Sequence, residues 1–422
     1  MHPLRLCLLY RFLPCCPVGL IPTISNAPMS TQLRLTQAIA LATLALLVMV
    51  GLRMGLALHL LARQYSAATL APLYSMFSVL PMLFAMRAGR WLDRAGPAPL
   101  LRLGVTLLFT SVVLAVQDGP LLLWYLVAAM NGCGFMLMML ASQHVTGHCG
   151  PPEQRSENFA HFSLGMSLAI TLGPLAVGWL LEWRGFYSAC LALLVASGLA
   201  AMLVGLGKLP AGPGHAHVDA GANPGTDAGT GKGAPRPAPL WREPGLGAIF
   251  LMSTLLIACW DGFMFMMPLH GQRFDFPPGL TGTLVALFSI STCLVRFSLP
   301  RLSRRYGTWR VLLAGLAGSG LIFMLLALPL PLAPIMGLAM LLGLALGNSQ
   351  PGTLALLFQH APATRVGEAI GLRVTLCNAS QVGAPLLLGP LVAQFGSAAG
   401  WGALALPALL GALYLLTRPM RQ

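Results

Sequence analysis

The chain has 422 residues, 56% of them hydrophobic and 9% charged, with a mean hydropathy of +0.77 and a formal net charge of +14. Soluble domains carry about 25% charged residues, and disordered chains lack apolar content, so the composition excludes both classes. The excess of 25 Lys+Arg over 11 Asp+Glu is then a membrane topology signal rather than a nucleic-acid footprint.

Residues 1–36 form an N-terminal leader whose short apolar stretches are cut by Pro14, Cys15, Cys16 and Pro17. It lacks the clean apolar core of a signal peptide and reads as dispensable, with Met29 as an alternative start. Twelve apolar runs of bilayer-crossing length follow. They lie near 37–60, 68–87, 99–117, 120–143, 158–181, 186–206, 245–269, 279–299, 310–330, 332–358, 367–393 and 398–417. Between the sixth and seventh, residues 207–244 are a Gly/Pro/Ala tract of linker composition. The expected fold is all-α and membrane-spanning: a six-helix bundle over 37–206, a flexible cytoplasmic linker, a second bundle over 245–417 and a short tail, 418–422. The nine cysteines form no CxxC pair and sit mostly in apolar runs, where they act as small hydrophobes. With the N-terminus placed inside, about 20 Lys and Arg fall on the cytoplasmic side. Only Arg63, Arg184 and Arg273 fall outside, and Arg53 and Arg373 lie within spans. Both termini are expected in the cytoplasm, and the chain in the cell (inner) membrane.

A constant shift of 211 residues superimposes the halves. It carries His59 onto His270, Arg90 onto Arg301, Arg94 onto Arg305, Gly96 onto Gly307, Gly132 onto Gly343, Glu157 onto Glu368, Pro174 onto Pro385, Gly178 onto Gly389 and Gly185 onto Gly396. Glycine matches come cheaply in such a composition; the His, Arg, Glu and Pro matches do not. The pattern is that of a duplicated six-span unit.

Between the second and third spans the chain reads Gly89-Arg90-Trp91-Leu92-Asp93-Arg94-Ala95-Gly96, with a degenerate copy from Pro300 through Arg301 and Arg305 to Gly307. This resembles the signature loop of the major facilitator superfamily, Gly-x3-Asp-(Arg/Lys)-x-Gly. The resemblance implies the superfamily's fold of two pseudo-symmetric six-helix bundles and a loop that latches one access state. In the fifth span Gly165, Gly173, Pro174 and Gly178, with Pro385 as counterpart, look like an incomplete Gly-Pro motif of the drug:proton antiporter branch, incomplete because position 169 is Ala. Close helix packing accounts for the same residues.

Ionisable groups inside a membrane are functional candidates. Asp261 lies about 22 Å into the seventh span and Arg53 at similar depth in the first; the shift brings Arg53 to Met264, one turn from Asp261. The two could face each other across a central cavity, Asp261 carrying a proton, or each could snorkel outwards. Nearer the cytoplasm, Asn348, Gln350, Arg373, Asn378 and Gln381 make a second polar group. There Arg373 either binds an anion or the span-ten amides, or snorkels. Glu157 and Glu368 read as charge complements at helix starts. His144, His148 and Cys149 have a spacing that could hold a metal but no further ligand nearby, and His215, His217 and Asp219 sit in the linker. No Gly-rich Lys motif for nucleotide is present, and no cofactor is implied. Nor is there a nucleophile–base pair, so no enzyme is expected. The sequence thus predicts a monomeric secondary transporter of small molecules and protons. Efflux of amphipathic molecules is the first reading and uptake of a small organic anion the second. A sensor of the same fold is a third.

Overall fold

The computed structural model describes residues 29–117, 119–150, 154–206, 243, 245–362 and 366–417. The leader before residue 29, nearly all of the linker with His215, His217 and Asp219, Arg365 and the tail lie outside the described residues, as do the side chains of Asp93 and Glu368. All regular structure among the described residues is helical.

Span 1 is Met29–Ala62, span 2 Ala67–Ala95, span 3 Pro97–Val116 and span 4 Leu121–His148. Spans 5 and 6 share one run, Arg155–Leu206, divided by a backbone reversal at Gly185 (φ 80°, ψ 179°). Span 7 is Leu246–Arg273, span 8 Pro278–Tyr306, span 9 Thr308–Leu326, span 11 Val366–Phe395 and span 12 Ser397–Leu416. Span 10 is two pieces, Leu332–Leu346 and Ser349–His360, separated at Gly347 and Asn348. The twelve predicted runs are all present as helices. Two expectations change. The tenth run is two helical pieces rather than one, interrupted at Gly347 and Asn348, where Gly347 packs against the span 8 backbone at Thr292. The predicted loop Gly89–Gly96 is helical to Ala95, since nothing before Gly96 breaks a helix; the turn is Gly96 alone.

The duplication is physical as well as sequential. Gly96 and its mate Gly307 both take positive φ (76° and 83°), as do Gly185 and Gly396 (80° and 79°), a backbone that side chains with a Cβ rarely adopt. Close approaches repeat too. A Cβ on Gly132 would meet the Phe77 carbonyl, and one on Gly343 the Phe288 carbonyl, which is Phe77 shifted by 211. Gly178 packs against Pro278 and Gly282, and Gly389 against Ala67 and Ala71, again the same positions after the shift.

The bundles meet through three pairs of spans: 2 with 11, 5 with 8, and 1 with 7. The side bearing the start of span 1 and the end of span 12 is called the terminal side below, and the opposite one the far side. Hydrogen bonds between bundles run from mid-depth to the far side. Ser75 donates to the Val382 carbonyl (2.8 Å), Gln272 to the Leu61 carbonyl (3.0 Å) and Trp179 to Thr283 (3.3 Å). At the far end, Glu182 Oε2 accepts from the Gly279 backbone N–H (2.9 Å), a carboxylate on the positive end of the span 8 helix. Nearer mid-depth, Arg296 donates to Ser167 (3.3 Å).

Candidate functional site

Span 1 brings Arg53 and span 7 brings Asp261 to the seam between the bundles. Each helix is seated in its own bundle by a glycine near the charged residue: Gly51 of span 1 packs on Leu193 of span 6, and Gly262 of span 7 on Leu404 of span 12. Arg53 Nη1 and Asp261 Oδ1 are 3.6 Å apart, and both side chains are at least 90% buried. Neither snorkels. The Arg53 guanidinium also lies 3.7 Å over the Tyr74 ring of span 2, a cation–π contact that strengthens when water is excluded. Tyr74 is itself braced edge-on by Phe265 of span 7 (5.2 Å between centroids). On the span 11 side, Gln381 lies beside the Asp261 carboxylate and accepts from Ser78 of span 2 at 3.5 Å. Four spans therefore converge on one ion pair.

The pair is incompletely satisfied. Arg53 Nε and Nη2 and Asp261 Oδ2 are buried without a hydrogen-bond partner among the described residues. A buried, single-contact pair is held by Coulomb attraction against a large desolvation cost, so protonating the carboxylate removes most of what joins spans 1 and 7 at this depth.

A second cluster surrounds Arg373 of span 11, which is buried. Its Nη2 donates to Gln350 Oε1 (2.8 Å) and Thr353 Oγ1 (2.9 Å) on the second piece of span 10, and its Nε to Ser253 Oγ (3.3 Å) on span 7. Of the two uses read from sequence, it binds the span 10 amide rather than snorkelling, although through Gln350 and not Asn348. Asn348 is buried at the helix break and its Oδ1 has no partner among the described residues. Asn378 is half-buried on span 11.

Sequence reasoning missed Arg296, Ser253, Thr353 and Glu182. The apolar run ending at 299 puts Arg296 at a cytoplasmic span end. The helix continues to Tyr306, which sets Arg296 about 15 Å inside its end. It donates to the Gly347 carbonyl at the span 10 break (3.2 Å) as well as to Ser167. A lone Arg inside a run was the available signal.

The remaining candidates have structural settings. Gly165 and Gly173 pack on span 1, at Thr43 and Leu47, while Gly178 packs across the seam on span 8. Pro174 and Pro385 sit inside spans 5 and 11. Arg90, Arg94, Arg301 and Arg305 lie in the last turns of spans 2 and 8. His144 and His148 stack on each other (4.2 Å), and Cys149 is buried against Ala38 and Val145. Glu157 lies in the first turn of span 5.

The sequence profile of the Major Facilitator Superfamily matches residues 35–385. No curated protein matches the chain. Among solved structures, a mutant of the nucleoside transporter NupG is 16% identical, with a TM-score of 0.71 over 92% of this chain and 100% of that one. The peptide transporter POT in complex with sulfate is 17% identical (TM-score 0.72, covering 91% and 94%). A bacterial homolog of the human lysosomal transporter Spinster, inward-facing and unoccupied, is 13% identical (TM-score 0.66, covering 93% and 96%).

Proposed function

The chain belongs to the Major Facilitator Superfamily, and on that premise we propose that it is a proton-coupled secondary transporter in which the Arg53–Asp261 pair is the switch. The two bundles, 37–206 and 245–417, rock about this seam. Protonation of Asp261 weakens the one charge contact between spans 1 and 7, and solute binding occurs while the bundles rearrange. The observation that carries the reading is the buried ion pair with one residue from each bundle. The arrangement described above, joined from mid-depth to the far side, is the state facing the terminal side. The Lys and Arg distribution supports a cytoplasmic terminal side in the inner membrane, and the transporter acts as a monomer with no cofactor.

Efflux of small amphipathic molecules remains the first reading of direction. It is supported by the small-residue contact of Gly178 with span 8, a pivot on the motif that resembles the antiporter branch. Transport of a small organic anion is the second, favoured by Arg373, whose hydrogen-bond partners are all neutral.

The test is flux in proteoliposomes holding the full chain under an imposed pH gradient, across a panel of cationic, neutral and anionic solutes. At least one solute is expected to accumulate against its gradient and to lose that accumulation when a protonophore collapses the pH difference. Accumulation that survives the protonophore would refute proton coupling, and absence of flux for the whole panel would favour the sensor reading.

A further inference from the structure

The buried Arg, Lys, His, Asp and Glu side chains among the described residues are Arg53, Asp261, His270 and Arg373. His270 accepts from Trp401 Nε1 through Nδ1 (3.0 Å); an indole N–H only donates, so this imidazole is neutral. Asp261 is matched with Arg53. Among the described side chains, Arg373 is therefore a buried cation without a counter-charge, and a second, half-buried Arg296, reaches span 10 at the Gly347 carbonyl.

An isolated buried guanidinium is costly, and neutral oxygens only partly offset it. Ser253, Gln350 and Thr353 fix the orientation of Arg373 and occupy Nε and Nη2. Nη1 makes no hydrogen bond among the described residues, so one edge of the fork keeps its donors. Gln350 is exposed, which gives the cluster an accessible side. Between the two arginines the helix is broken, and Asn348 holds a buried carbonyl oxygen with nothing to accept. Arg296 of span 8 reaches this break at the Gly347 carbonyl, and Arg373 of span 11 reaches the helix just beyond it at Gln350 and Thr353.

We infer that Arg373, steadied by Ser253, Gln350 and Thr353 at the broken span 10, receives the carboxylate of a small organic anion, which supplies the missing counter-charge. Arg296 is a positioning residue: its bond to the Gly347 carbonyl holds the break in place. With Nε and both Nη2 hydrogens donated to Ser253, Gln350 and Thr353, Nη1 offers a charge-assisted N–H to one carboxylate oxygen. The inference rests on the transporter reading but does not depend on proton coupling or on direction, because occupancy requires no gradient.

The test is equilibrium binding to the purified full chain, with benzoate as the anionic probe and benzamide as its neutral isostere. Wild type is expected to bind benzoate at least tenfold more tightly than benzamide. Arg373→Gln should lose that preference, and Arg373→Lys should recover only part of it. Asp261→Asn should keep it, which separates this site from the coupling pair: flux experiments can fail while benzoate still binds. Tryptophan fluorescence and elution volume establish that each variant is folded, and Arg296→Gln should weaken benzoate less than Arg373→Gln. Equal binding of benzoate and benzamide, an unchanged preference in Arg373→Gln, or no benzoate binding would each overturn the inference. Phosphate or chloride displacing benzoate at equal concentration would overturn it too, by identifying an inorganic-anion site.

Discussion

Replacing Asp261 by Ala leaves the Arg53 guanidinium buried without its counter-charge and should lower stability by about 3–5 kcal/mol. The double variant Arg53→Met/Asp261→Leu, which removes both charges at similar volume, should recover most of that loss. A buried pair is expensive to break and cheap to replace, and this one has a single 3.6 Å contact and three polar atoms without partners. Chemical unfolding in mixed micelles measures both values. In proteoliposomes the double variant should still fold and yet lose gradient-driven accumulation, because no carboxylate is left where spans 1 and 7 meet. A double variant as unstable as Asp261→Ala would mean that the pair is held by its surroundings rather than by charge.

Gly178→Leu should produce the second large effect. The Gly178 Cα side lies against backbone: a Cβ there would come within 2.6 Å of the Pro278 carbonyl and 3.1 Å of the Gly282 Cα. Backbone cannot swing aside as a side chain can, so the far-side ends of spans 5 and 8 must separate. Overpacking of this kind costs about 1–3 kcal/mol, enough to shift a two-state equilibrium by roughly 5- to 150-fold. The bundles should move away from the state joined on the far side, and flux should fall by at least about tenfold. Gly337→Leu, with nothing within 4 Å of its Cβ position, serves as the control and should leave flux near wild type. Solvent labelling of a cysteine placed at Thr283, beside Trp179, should rise in Gly178→Leu and not in the control.

Much of the fold was legible because two independent periodicities agreed. Span-length apolar runs gave the helices, and the 211-residue shift gave the pairing of halves; Gly96 with Gly307 and Gly185 with Gly396 then fall into the same turn geometry. Helix ends were less legible. The run 279–299 ends where apolar residues end, but the helix continues through Arg301, Arg304 and Arg305, because charged residues continue a helix as well as apolar ones do. That difference hid Arg296. The break in span 10 was also hidden, because glycine is tolerated within membrane helices in general and Gly347 carries no distinguishing pattern. Arg53 and Asp261 could be placed at similar depth from counting residues, yet their contact depends on how spans 1 and 7 rotate, which a hydropathy pattern does not specify. For Arg373, the sequence left binding and snorkelling open; Ser253 of span 7, 120 residues away, with Gln350 and Thr353 of span 10, decides between them.

Proton binding at Asp261 should move the bundles relative to each other. Spin labels at positions 148 and 359, exposed at the terminal-side ends of spans 4 and 10 and introduced by His148→Cys and Gln359→Cys with the other cysteines replaced, report the separation of the bundles on that side. Pulsed electron resonance on this protein at pH 5 and pH 8 should give distance distributions that differ between the two pH values, and Asp261→Asn should hold one distribution at both. An Asp261→Asn variant that follows pH as the parent does, or a parent that does not respond to pH, would contradict the account.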